Sequence, residues 1–121
     1  SVYAADIDGD GLIDVISGNF SDLEIAWYKN NGAGGFVKST VSNNASGINA
    51  IYVVDLDKDG DMDVLGANFG NDKVEWHEND GSGNFVTHTI DSFAKFATDV
   101  HAKDMDGDGD MDVIASAQGE N

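Results

Sequence analysis

The sequence predicts an all-β fold built from four-stranded antiparallel propeller blades, and three observations predict it. Acidic ten-residue segments recur as "DIDGDGLIDV" at 6–15, "DLDKDGDMDV" at 55–64 and "DMDGDGDMDV" at 104–113, so Asp6, Asp55 and Asp104 are 49 residues apart each time. Between successive acidic segments lie short runs of alternating apolar and polar residues, separated by glycine- and asparagine-rich turns. No stretch sustains the 3.6-residue apolar period of a helix. A period of about 40–50 residues with four antiparallel strands per unit is the signature of a propeller blade.

The register extends past the acidic segments. Asn19 and Phe20 align with Asn68 and Phe69, and "WYKNNGAGGF" at 27–36 aligns with "WHENDGSGNF" at 76–85. Without a gap, 1–49 on 50–98 gives 17 identities. The predicted organisation is therefore two complete repeats, 1–49 and 50–98, followed by the first half of a third at 99–121, all within one propeller-type domain or a piece of one.

Within the first repeat, "VYAA" at 2–5 is the first strand and "IDVISG" at 13–18 the second, with the acidic loop joining them. "EIAWYK" at 24–29 alternates so that Ile25 and Trp27 face the same way, which makes it the third strand. After the turn "NNGAGG", the run "FVKSTV" at 36–41 alternates again as the fourth. In such an up-and-down sheet, the acidic loops share one face with the "NNGAGG" and "NDGSGN" turns. The opposite face receives "GNFSDL", "ANFGND" and the inter-blade segments "SNNASGIN" and "DSFAKFAT".

Each acidic loop carries carboxylates at loop positions 1, 3, 5 and 9 and glycine at 6. These are Asp6, Asp8, Asp10, Gly11 and Asp14; Asp55, Asp57, Asp59, Gly60 and Asp63; and Asp104, Asp106, Asp108, Gly109 and Asp112. Alternate placement lets a tight loop aim several carboxylates inward, glycine permits the bend, and the position-7 residues Leu12, Asp61 and Asp110 are expected to add a backbone carbonyl. An all-oxygen donor set of this size favours calcium over magnesium and zinc, so three Ca2+ sites are predicted. An EF-hand would open in the same way, but its closing glutamate is replaced by Ser17, Gly66 and Ala115, and the flanks are strand-like.

The pattern D-x-D-x-D-G-x-x-D before an apolar strand, followed by "WYKNNGAGGF" or "WHENDGSGNF", resembles the calcium-binding FG-GAP-like or VCBS-type repeats of integrin α-subunit propellers and many secreted bacterial proteins. The resemblance covers essentially the whole chain. It implies blades of a six- to eight-bladed propeller, with calcium in the hairpin between the first and second strands. The chain has no proline, so the G-A-P tripeptide of the integrin form is absent, which favours the bacterial type of repeat.

Composition agrees with a cation-binding module. Against 23 acidic residues stand 6 basic ones, a formal charge of −17 that argues against nucleic acid and anionic membranes as partners. Without cysteine there is no disulfide framework and no thiolate metal site. No apolar run approaches a membrane span, and "SVYAADIDGD" lacks the features of a signal peptide, so a secretion signal is expected to have been removed or to lie outside these residues.

Several other side chains have predicted places. Trp27, Trp76, Phe36 and Phe85 are expected to fill blade-to-blade contacts rather than to form sugar-stacking platforms. His77, which replaces Tyr28, and His101, which replaces Tyr3 and Tyr52, are expected at surface or semi-buried strand positions, as is His88. In the divergent inter-blade segment, Phe93, Lys95 and Phe96 replace Asn44, Ser46 and Gly47; Phe96 is expected to fill the core as Ile48 does, with ligand recognition by this segment as the alternative.

No catalytic or cofactor-binding residue is assigned, because no Ser-His-Asp set, P-loop or dinucleotide fingerprint occurs and the aspartates are committed to metal. The expected function is a calcium-binding propeller segment of a secreted or cell-surface protein, acting as a scaffold for adhesion or protein binding. The alternative is a lectin-like propeller or an accessory module of a polysaccharide-degrading enzyme; a catalytic propeller is disfavoured. Since a ring closes with about four to eight blades, these residues are expected to belong to a longer chain or to self-associate.

Overall fold

The computed structural model describes residues 1–119, which form ten strands and no helix. The first sheet comprises β1 (Val2–Ala5), β2 (Asp14–Gly18), β3 (Ile25–Asn30) and β4 (Phe36–Ser42), hydrogen-bonded in that order. The second comprises β5 (Ile48–Val54), β6 (Asp63–Asn68), β7 (Lys73–Asn79) and β8 (Phe85–Asp91) in the same order. A third, two-stranded sheet pairs β9 (Ala97–Lys103) with β10 (Asp112–Ala117). Every pairing is antiparallel, as short strands joined by tight turns require.

Side chains alternate across each strand, so each sheet offers one face to its predecessor and one to its successor. Ile16, Ile25 and Trp27 of the first sheet meet Ile48, Ile51, Val53 and Val64 of the second in one buried cluster. Leu65, Ala67 and Val74 leave the far face of the second sheet and meet Ala97, Val100 and Ala102 of β9 in another. Strand β6 feeds both clusters and is buried along its whole length. This stacking of sheets is what fixes the acidic loops side by side.

Facing positions in the two interfaces exchange bulk. A methyl group on Gly18 would lie 2.3 Å from Ile48 Cγ2, so glycine is favoured where isoleucine faces it. One repeat later the same positions are Ala67 and Ala97, both fully buried in the second cluster. Close packing tolerates either combination but not both large residues together.

Trp27 meets Phe85 edge to face, with centroids 6.5 Å apart, and so joins the first two sheets as its pattern predicted. Trp76 is half-buried against the second cluster and lies over His88 at 4.7 Å. Phe36 departs from expectation and is exposed, because among the described residues no tryptophan stands before it as Trp27 stands before Phe85.

Two further expectations are corrected. His77 is fully buried rather than at a surface or semi-buried position, because it shares the Val64 row of the second sheet, the face that the first sheet covers. Phe96 does not fill the core: it is 46% exposed with a φ of 56°, in register with Gly47, while the fully buried Ala97 takes the Ile48 position. The left-handed backbone at Phe96 turns its ring outward onto Phe69, which in turn contacts Phe20, giving a row with centroid spacings of 5.0 and 5.6 Å. Phe93 is still more exposed, and His88 and His101 are exposed as expected.

Candidate metal centre

All three acidic loops adopt one backbone design. The position-6 glycines have φ values of 85° at Gly11, 102° at Gly60 and 98° at Gly109, a region that side chains other than glycine rarely enter. This conformation turns their N–H groups back onto the first aspartate of the loop: Gly11 onto Asp6 at 2.8 Å, Gly60 onto Asp55 at 3.1 Å and Gly109 onto Asp104 at 3.0 Å. One oxygen of each first aspartate is thereby fixed by the main chain.

The ninth-position aspartates anchor the loop to the sheet. Asp14, Asp63 and Asp112 accept from the N–H of loop position 2, namely Ile7 at 3.3 Å, Leu56 at 3.0 Å and Met105 at 2.9 Å. Asp14 and Asp63 use their other oxygen to accept from the Asn30 and Asn79 N–H groups at 2.7 and 2.9 Å, where the third strand ends. Both are fully buried; burial pushes the Asp63 carboxyl up, and the N–H groups of Asn79 and Leu56 oppose that shift. Asp14 also accepts from Trp27 Nε1 at 3.0 Å.

Carboxylate oxygens converge to within 4.8 Å of one another in each loop. They belong to Asp6, Asp8 and Asp10 in the first, Asp55, Asp57 and Asp63 in the second, and Asp104, Asp106 and Asp108 in the third. Asp14, Asp59 and Asp112 stand outside these triads. Asp59 instead accepts from the Asp61 N–H at 2.9 Å, as Asp10 does from Leu12 at 2.9 Å and Asp108 from Asp110 at 2.8 Å. The position-7 N–H is thus tied back in every loop, and Asp10 is held below the usual carboxylate range by the Leu12 N–H foremost and by Lys29.

The donor chemistry suits a hard cation. Asp6 Oδ1, Asp8 Oδ1 and Asp55 Oδ1 are buried and have no hydrogen-bond partner. Unpaired buried oxygens of this kind are costly unless something positive meets them. Asp61 shows the same repulsive field: desolvation, then Asp59, Asp55, Asp80 and Asp57, raise its carboxyl.

Three site features were not singled out in the sequence. Asn30 and Asn79 brace the loops, donating from Nδ2 to Ile13 O at 3.1 Å and to Met62 O at 3.1 Å; Asn79 also donates to Ile7 O at 2.8 Å, across the sheets. Their identity at a 49-residue separation was the available signal. Lys29 pairs with Asp8 and Asp10 in the first loop, and Lys58 reaches from the second loop to the third. Nothing in the repeat pattern marks either lysine, since Glu78 aligns with Lys29 and glycines align with Lys58.

Antiparallel sheets stacked in series, each opened by a hairpin whose clustered carboxylates could hold a metal ion, define a repeat module. Residues 6–66 and 55–115 each match the family described as FG-GAP-like repeat, and the chain belongs to that family. No protein of curated function matches it. The described residues contain no helix long and apolar enough to cross a membrane.

Proposed function

We propose that the chain is a calcium-stabilised segment of a β-propeller in an extracellular or cell-surface protein, holding one Ca2+ in each acidic loop. The observation that carries this reading is the convergence of aspartate oxygens in loops whose inward-facing atoms, Asp8 Oδ1 and Asp55 Oδ1 among them, are buried without a donor. Calcium would gather the triads and accept further oxygens from the loop backbone, with Leu12, Asp61 and Asp110 supplying their carbonyls. The ion's role is structural: it neutralises mutually repelling carboxylates and locks the hairpins β1–β2, β5–β6 and β9–β10.

On the face away from the loops, the row Phe20, Phe69 and Phe96, with Phe93 exposed in the same inter-blade segment as Phe96, supports binding of a protein partner in adhesion. Contiguous exposed aromatic surface is uncommon on a face that contacts only water. A glycan is the alternative ligand for the same row.

Calcium calorimetry and melting in EDTA test the metal reading. Calcium is expected to bind with a stoichiometry of three and to raise the melting temperature, magnesium to substitute poorly, and EDTA to reverse the effect. A melting curve indifferent to calcium and EDTA would overturn it.

A further inference from the structure

We propose that the three loops bind calcium with graded affinity, the second loop filling first, because lysine ammonium groups already engage the oxygens of the first and third. The inference rests on the calcium reading above and adds to it an order of filling and the residues that set it.

In the first loop, Lys29 Nζ donates to Asp8 Oδ2 and lies 3.3 Å from Asp10 Oδ2. Asp8 and Asp10 are two of the three carboxylates gathered there, and the Asp8 side chain is only 10% exposed. Asp8 Oδ1 remains free to face a cation, but Lys29 holds the other oxygen of the same carboxylate. Calcium in this loop must therefore coexist with a positive charge a few ångströms away or push it aside, and either weakens its binding. The residue in register in the second sheet is Glu78, whose carboxylate turns away to His88 Nε2 at 2.6 Å.

The third loop receives its ammonium from the second. Lys58 stands at loop position 4 with a φ of 65°, where the first and third loops have Gly9 and Gly107 at 69° and 81°. The backbone is the same, but only Lys58 carries a side chain, and it crosses to the next loop. Its Nζ donates to Gly109 O and to Asp110 Oδ1, the latter at 2.9 Å. These atoms lie at loop positions 6 and 7, beside the carbonyl that calcium would use. A non-glycine residue in this strained region is a feature in want of a reason, and the bridge between neighbouring loops supplies one.

The second loop has no such counter-ion. None of the ion pairs among the described residues includes Asp55, Asp57, Asp59, Asp61 or Asp63. Its carboxylates therefore retain their full attraction for a cation, and the loop exports its own lysine.

Calorimetric titration of the full chain with calcium, together with amide NMR of Gly11, Gly60 and Gly109 as one reporter per loop, tests the proposal. The expected result is a tight class of one ion that shifts Gly60 first, followed by a weaker class that shifts Gly11 and Gly109. Lys29→Gln should tighten the first-loop site roughly tenfold and leave the Gly60 titration in place, and Lys58→Gly, which suits the backbone, should tighten the third-loop site by a similar factor. Three equivalent sites, Gly60 shifting last, or lysine variants that leave the weak class unchanged would overturn the grading while calcium binding stands. Absence of calcium binding in every variant would overturn the calcium reading itself.

Discussion

Trp27 Nε1 donates to Asp14 Oδ2 at 3.0 Å, joining the residue that closes the first loop to the ring that docks the second sheet. Asp14 is fully buried and Trp27 nearly so, so the bond is shielded from water on both sides. Trp27→Phe keeps most of the ring contact with Phe85 but deprives a buried carboxylate of a donor. Such a loss costs about 1–3 kcal/mol. Urea unfolding should show an unfolding free energy lower by that amount, read as a lower midpoint at an unchanged m-value.

Size exchange at Gly18 and Ile48 gives a test of the sheet interface. Gly18→Ala places a methyl group against Ile48 Cγ2 and Ile51 Cγ2, at 2.3 and 2.9 Å before relaxation, and should destabilise by about 1–3 kcal/mol. Adding Ile48→Ala recreates the Ala67 and Ala97 pair of the next interface. The double variant should be more stable than the two separate losses sum to, as read by a double-mutant cycle; simple additivity would mean that the two residues do not compete for space.

His77 should make stability pH-dependent. Its burial lowers its pKa from 6.5 to about 4, with the neighbouring His88 adding to the shift, and its Nδ1 sits 2.9 Å from Thr87 Oγ1. Between those values the unfolded chain binds a proton that the folded chain refuses, so stability is full above pH 6.5 and declines as pH falls toward 4. The ceiling of this contribution is about 3 kcal/mol. His77→Tyr, which copies Tyr28, should flatten the difference between urea midpoints at pH 7 and pH 5 relative to the parent chain; an equal slope in both proteins would assign the dependence to the carboxylates.

Calcium should stabilise the chain by an amount set by mass action. A site that binds only the folded state adds about 2.7 kcal/mol when calcium is at 100 times its dissociation constant. Asp57→Ala removes one carboxylate of the second triad and should abolish one site, whereas Asp61→Ala keeps the carbonyl and removes a carboxylate raised by desolvation and by its acidic neighbours. Asp61→Ala should therefore retain all three sites and melt higher than the parent in EDTA.

Phe93 and Phe96 should separate binding from stability. Phe93 is 76% exposed, so Phe93→Ser should stay within about 0.5 kcal/mol of the parent. Phe96→Ser loses the stack on Phe69 and should cost about 1 kcal/mol. If the aromatic row is a docking surface, partner capture falls further than these stability losses explain; equal capture by parent and variants would exclude this face.

The sequence by itself determined the strands, the turns and the candidate loops, because each rests on local chemistry that repeats. Alternation placed Ile25 and Trp27 on one side of β3, and glycine at the sixth loop position announced the bend that Gly11, Gly60 and Gly109 make. The family pattern was legible for the same reason: its residues recur at a fixed spacing within each repeat. Tertiary structure alone decided what depends on the neighbouring repeat. His77 is buried because the first sheet covers its face, and Phe85 is half-buried while Phe36 is exposed because only Phe85 has a tryptophan before it. Gly18 is confined to a small residue because Ile48 approaches from another sheet. Lys58 reaches Asp110, 52 residues away, only because stacking sets two loops side by side. Periodicity describes a repeat's own backbone, whereas burial, crowding and the reach of a charged side chain belong to the space between repeats.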